Sequence, residues 1–166
     1  SSIDDILNKA KSKNEAPFIV ILDCLQDPHN FGAIIRSCEC AGVHGIIIQK
    51  DRQVQVNETV IKTSAGAVSN MLIARVTNLK EAIKKLQDND VWIYGTDASG
   101  ENVYNSSCNQ SIALIIGSEG DGIRKTILDK CDKVLSLEMK GTVNSLNASV
   151  ACGVFLFEIL RQRSLK

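Results

Sequence analysis

Three short polar stretches carry the side chains that can do chemistry. The first, DPHNFGAIIRS (27–37), supplies an amide at Asn30 and a guanidinium at Arg36. The second, ALIIGSEGDGIRK (113–125), sets Glu119 among Gly117, Gly120 and Gly122. The third, LSLEMKGTVNSLNASVA (135–151), offers Ser145 and Asn147. A guanidinium grips phosphate or carboxylate, while amides and hydroxyls donate and accept hydrogen bonds. Glycines let backbone approach a flat ligand closely. A dinucleotide fingerprint reads G-x-G-x-x-G, whereas these glycines read G-x-x-G-x-G. Gly117 and Gly122 have phosphate-loop spacing, but Ile123 follows where lysine is required. The ligand suggested is nucleotide-like without a phosphate grip.

Each residue also has a plain explanation. Asn30 fits a cap for the following helix, and Glu119 fits a turn. Ser145 fits a helix N-cap, with Asn147 in the first turn beside exposed amides at the positive helix end. Asn147 then stands as a lone amide in apolar surroundings. Arg36 lies about 200° around a helix from both Ile34 and Cys38, away from their apolar face. It is either a solvated arginine or one aimed across a cleft or interface.

The elements that must position these residues are short apolar runs: 18–22, 45–49, 72–76, 91–95, 112–116 and 133–137. Their apolar character is continuous, as in strands buried on both faces of a parallel sheet. Helical patterns alternate with them at 30–41, closed by Gly42, at 78–89, capped by Asn78, and at 145–162. The expectation is an α/β fold with a mostly parallel sheet flanked by helices. Ligands of such sheets collect beyond the carboxyl ends of the strands, where all three polar stretches fall. Residues 1–16 are polar and lysine-rich with a weak helical pattern at Ile3, Ile6, Leu7 and Ala10.

At 166 residues the chain suits one domain with a full core. Lys+Arg and Asp+Glu balance at 19 each, so a polyanion would be drawn only by a local patch. Arg36, Lys50, Arg52, Lys62, Arg124, Lys125 and Lys140 lie at or near the three loops, as such a patch or as a solvated scatter. The six cysteines form no Cys-x-x-Cys pair, and Cys38, Cys40 and His44 match no common zinc spacing. No metal is expected. The absence of a signal pattern or membrane span points to a soluble, cytoplasmic protein.

Taken in order, DPHNFGAIIRSCECAGV, TSAGA, LIIGSEGDGI and LSLEMKGTVNSLNASVACGVFLFEILRQR resemble the motifs of the SpoU/TrmH family of RNA ribose 2′-O-methyltransferases, in the SPOUT class. The resemblance covers roughly 17–163 and is nearest to the bacterial 23S rRNA guanosine 2′-O-methyltransferase branch. It implies a C-terminal trefoil knot, a homodimer with sites at or near the subunit interface, and S-adenosylmethionine as methyl donor. It also implies cofactor contacts at Gly117, Leu137 and Leu146, with Thr96, Ile116 and Met139 as further neighbours. Asn30, Arg36, Glu119, Ser145 and Asn147 match the family's catalytic and substrate-orienting positions. Glu119 is expected to orient Arg36, with Ser145 and Asn147 holding the ribose. Many relatives of this branch carry an amino-terminal RNA-binding domain. On that basis 1–16 are the remnant of a linker and 17–166 the methyltransferase domain.

The function so implied is methyl transfer to a ribose 2′-hydroxyl of RNA, a guanosine of 23S rRNA first. Alternatives are a tRNA 2′-O-methyltransferase and a non-catalytic RNA-binding or ribosome-assembly protein of the same fold. A phosphate-binding α/β domain would need the phosphate loop that is missing.

Overall fold

The computed structural model describes residues 1–143 and 145–165. The apolar runs form β1 (Phe18–Asp23), β2 (Gly45–Gln49), β3 (Leu72–Val76), β4 (Trp92–Asn102), β5 (Ile112–Gly117) and β6 (Lys133–Ser136). They make one six-stranded sheet in the order β3-β2-β1-β5-β4-β6. Every pairing is parallel. The central strands β1 and β5 are buried along their whole length, which is why their sequences do not alternate. β4 runs past its apolar part because a bulge between Thr96 and Glu101 lets a second stretch pair with β6.

Helices cover both faces: α1 (Ile3–Ser12), α2 (Pro28–Ala41), α3 (Glu58–Thr63), α4 (Leu79–Asp88), α5 (Lys125–Leu128) and α6 (Ala148–Arg163). Phe31, Ile34 and Ile35 of α2 and Phe155, Leu156 and Ile159 of α6 join Phe18, Val20 and Leu22 in one core. Ile3 and Ile6 of α1, Ile83 and Leu86 of α4, and Ile127 of α5 meet Ile19, Ile21 and Ile47 on the other face. Burying one such side chain contributes about 1.5–3 kcal/mol, so neither layer is dispensable.

Helix ends differ from the sequence expectation in instructive ways. α2 is capped by Asp27, whose side chain accepts from the His29 amide, and Asn30 lies inside the first turn. Pro28, with no N–H to orphan, takes the first helical position. α6 starts at Ala148 rather than 145, and its cap is Asn147, not Ser145. Asn147 is exposed, not enclosed by apolar groups. Gly42 in the left-handed region ends α2, and Asn78 caps α4, both as expected. The weak pattern at the amino terminus is a real helix. Ser2 and Asp5 form a capping box, and Ile6 fills the space where a side chain at Gly45 would stand. Residues 3–12 thus belong to the fold's outer layer.

Six cysteines are free. Burial pushes the Cys131 thiol up to about 12 and Cys108 to about 11, so both stay protonated.

His44 fastens the amino ends of β1 and β2. Its Nδ1 accepts from the Phe18 amide at 2.9 Å, and Nε2 faces Glu15 at 2.9 Å. An accepting Nδ1 places the ring proton on Nε2, so the buried ring is neutral. Burial lowers its pKa, outweighing the pull of Glu15; Arg163 and Lys13 act in the same direction as burial. The unfolded chain therefore binds the proton more readily. This contribution to stability is complete above about pH 6.5 and is lost as pH falls through the lowered folded value. Urea midpoints measured from pH 7.5 to 5.5 should fall, and His44→Gln should flatten that slope. Equal slopes in the two proteins would remove His44 as the cause.

Candidate active site

Parallel pairing sends the carboxyl ends of all strands to one edge, and there a cavity of about 750 Å³ opens. Four segments wall it. The extended end of β4 contributes Thr96, Asp97 and Asn102. β5 and its loop contribute Ile116 through Gly122. The segment from β6 contributes Ser136 through Met139, Ser145 and Leu146 precede α6, and α6 adds Ala148, Ala151 and Phe155.

The glycine loop is folded back on itself. Ser118 and Gly122 form an antiparallel bridge, each amide donating to the other's carbonyl at 3.2 and 3.0 Å. A Cβ at Gly117 would come within 2.1 Å of the Gly122 carbonyl carbon, so only glycine fits where the two legs touch. The loop's tip carries Glu119 toward the neighbouring strand. Its carboxylate accepts from the Asn30 amide at 3.3 Å and from the Asp27 amide at 3.3 Å, with the Gln26 amide at 3.5 Å. Glu119 thus sits at the amino end of α2, where the helix's positive end favours a carboxylate.

The electrostatics of the wall are one-sided. Asp97, Glu119, Asp121 and Glu138 line the cavity, and among the described residues no Lys, Arg or His does. The Ser99 hydroxyl, then its amide, holds the Asp97 carboxyl below the usual carboxylate range. The apolar side is Ile116, Leu137, Met139, Leu146 and Phe155. Together these suit a flat ring and a positive group, and oppose a phosphate.

All six residues expected around a cofactor (Thr96, Ile116, Gly117, Leu137, Met139 and Leu146) line this one cavity, with Glu119 and Ser145. Asn30 is almost buried and joins through Glu119. Asn147 stands between lining residues, its Oδ1 accepting from the Ser149 amide at 2.9 Å and hydroxyl at 2.6 Å. Arg36 is the outlier. It is exposed, and eight residues past Pro28 it lies about 12 Å of helix rise from the loop edge. Among the described residues it makes no hydrogen bond with Glu119, which is held by Asn30 and backbone instead. Sequence reasoning missed Asp97, Asn102 and Ser136. Their one signal was polar text directly after an apolar run, which also describes any surface loop.

Of the seven cations near the loops, Arg124 is paired with Asp23 at 2.8 Å and Lys140 with Glu138 at 3.0 Å. Arg36, Lys50, Arg52, Lys62 and Lys125 are exposed. No helix among the described residues is long and apolar enough to cross a membrane, and no group of metal-ligating side chains gathers there.

A profile of the SpoU rRNA Methylase family matches residues 17–157. YacO of Bacillus subtilis (strain 168), named for the TrmH family of tRNA/rRNA methyltransferases, is 45% identical over 165 residues, covering 99% of this chain and 66% of its own. The 23S rRNA (guanosine-2′-O-)-methyltransferase RlmB of Escherichia coli (strain K12) is 44% identical over 151 residues, covering 90% and 62%. The chain therefore spans a little under two thirds of these relatives' length. Among solved structures, the SpoU methyltransferase AviRb of Streptomyces viridochromogenes, in complex with the cofactor AdoMet, superposes with a TM-score of 0.83 at 29% identity. The superposition covers 89% of this chain and 58% of that one. The sheet, the glycine loop and these matches agree: the chain belongs to the SpoU rRNA methylase family.

Proposed function

We propose that the cavity holds S-adenosylmethionine and that the protein methylates a ribose 2′-hydroxyl of RNA, most directly a guanosine of 23S rRNA. One observation carries this reading: segments far apart in sequence build a cavity with carboxylates, an apolar side and, among the described residues, no lining cation. ATP would meet only repulsion at its phosphates there, whereas an adenosine with a positive sulfur would not. The RlmB relative supports the rRNA guanosine target, and the AdoMet bound by AviRb supports the cofactor. An rRNA substrate supports a cytoplasmic location.

When bound, the cofactor supplies a methyl carbon already activated by positive sulfur. The residues have only to align the ribose, manage its proton and keep water out. Asn147 spends its Oδ1 on Ser149, which leaves its NH2 to donate to a ribose oxygen. Ser145 at the wall supplies a second ribose contact. Glu119 and Asn30 hold each other and so fix the loop against α2. Arginine has no acceptor lone pair, so Arg36 acts by binding the target phosphate and stabilising the developing alkoxide, with the proton passing to phosphate or water.

Arg36 acts in the cavity of a second copy. It is exposed on α2, where the next residue, Ser37, neighbours Gly153 of α6, and α6 exposes Val150 (52%) and Phe157 (48%). An isologous pairing across this apolar face brings each Arg36 to the other subunit. The trefoil knot is part of the same proposal. From β6 at the sheet edge the chain must recross β4 and β5 to lay α6 against α2, which supports passage through the loop after β4. The methyltransferase unit is set at 17–166, with α1 packed onto it.

Calorimetry should show heat with S-adenosylmethionine and none with ATP; binding of ATP alone would end the cofactor assignment. Labelled methyl should enter unmodified rRNA at alkali-resistant linkages, while methylated bases with cleavable linkages would change the reaction type. Arg36→Ala should lower turnover about 100-fold or more, the usual cost of one oxyanion donor, at unchanged cofactor affinity. Arg36→Ala and Glu119→Gln should each turn over only slowly alone. Mixed and allowed to exchange, they should recover about a quarter of wild-type sites if the dimer is isologous. No recovery would put Arg36 back in its own subunit. Phe157→Glu should shift sedimentation toward the monomer.

A further inference from the structure

Asp23 and Arg124 have no role in the site described above, yet they close the loop that carries Glu119. Asp23 is the last residue of β1 and the register partner of Gly117, the residue at which the loop leaves β5. It is completely buried. The loop returns at Arg124, and there one carboxylate accepts two hydrogen bonds from one residue and pairs with its guanidinium. The Arg124 amide donates to Oδ2 at 2.8 Å, its Nε to Oδ1 at 2.9 Å, and its Nη2 stands 2.8 Å from Oδ1. Nη2 also reaches Gln49 Oε1 at 3.3 Å, at the end of β2.

The same carboxylate lies at the start of the other contact. Directly after Asp23, Cys24 takes φ +60, a left-handed conformation that turns the chain sharply. That turn presents the Gln26 and Asp27 amides to Glu119. The backbone therefore makes a closed ring. From Asp23 it runs through Cys24 to the amides that hold Glu119, back along 120–123, and through Arg124 to Asp23. If the ring opens at Asp23, both legs of the loop lose their common anchor.

We propose that Asp23, through Arg124, is a positioning residue for the cofactor loop and for Glu119. The inference rests on the reading of the cavity as a methyl-donor site. A buried ion pair seldom adds net stability over well-packed apolar groups, because desolvation consumes the Coulombic gain. Its effect here is geometric: it selects one closed form of a loop whose glycines would allow many. The loop's residues from Gly117 to Gly122 all line the cavity, so a loosened loop weakens the cofactor directly.

The test compares Asp23→Asn, Arg124→Ala and Arg124→Lys in the full chain. S-adenosylmethionine affinity is measured by calorimetry well below each unfolding transition, and amide exchange is followed residue by residue. Asp23→Asn and Arg124→Ala should weaken binding about tenfold or more, the scale of one lost charge-assisted hydrogen bond. Arg124→Lys keeps the charge and the backbone donor and should lose less. The Gly122 and Arg124 amides should exchange faster in Asp23→Asn while those of α4 do not. A lowered Tm with wild-type affinity would make the pair a structural tie only and overturn the proposal. So would equal affinities across the Arg124 series, which decides the matter should Asp23→Asn fail to fold. Absence of binding by the wild-type chain would overturn the cavity reading itself, and is distinguishable from loss confined to the variants.

Discussion

The register between β1 and β5 is the constraint on which the site depends. Both strands are buried on both faces, and their side chains alternate between two separate cores. A slip of one residue would exchange those cores, sending Ile19 and Ile21 where Phe18, Val20 and Leu22 now pack. The register is held by the whole interior, and it sets Asp23 opposite Gly117. The loops that follow these two strands must face each other across one strand spacing, about 4.8 Å. Glu119 meets Asn30 and the α2 amides for that reason, although 89 positions separate it from Asn30.

Charge follows the same division of space. The chain is neutral overall, with 19 basic and 19 acidic side chains, yet among the described residues the charged groups that line the cavity are all acids. Exposed carboxylates attract weakly: a pair of charges 4 Å apart in water is worth about 1 kcal/mol, less in salt. Discrimination therefore comes less from attraction to a sulfonium than from what is missing. A triphosphate entering this cavity would shed its hydration and find no cation among the described lining residues. A phosphate-free adenosine sheds little and gains backbone partners from the glycine loop.

Much of this was legible in the sequence because burial writes plainly. Runs at 45–49 and 72–76 became strands with those bounds, since Ile- and Val-rich text of that length has few other uses. The continuation of β4 through Asp97 and Glu101 was invisible. Polar, glycine-containing residues pair there only because β6 lies alongside and a bulge absorbs the mismatch. Both misplaced caps came from having two suitable residues within three positions. Asp27 and Asn30 each fit one helix start, Ser145 and Asn147 the other, and tertiary contacts chose between them. Asn30 was drawn inward by Glu119, a partner no local pattern could supply. Asp23 lay just past an apolar run, and Arg124 read as a cation of a loop patch or of a solvated scatter. Only the register shows that they meet.

α6 joins these features into one argument about assembly. Its inner side supplies Cys152, Phe155, Leu156 and Ile159 to the core, and its first turn walls the cavity with Ala148 and Ala151. Its outer side leaves Val150 and Phe157 half in water. Such a helix has no wholly polar face, so some apolar surface remains in contact with solvent until a partner covers it. Arg36 is exposed on α2, which shares a core with α6, and lies about 12 Å of helix rise from its own loop edge. A covered apolar face and a completed set of site residues then become one event. In the proposed dimer, the free energy of burying Val150 and Phe157 is what holds a guanidinium against the neighbouring cavity. A lone subunit would bind the methyl donor and stop there.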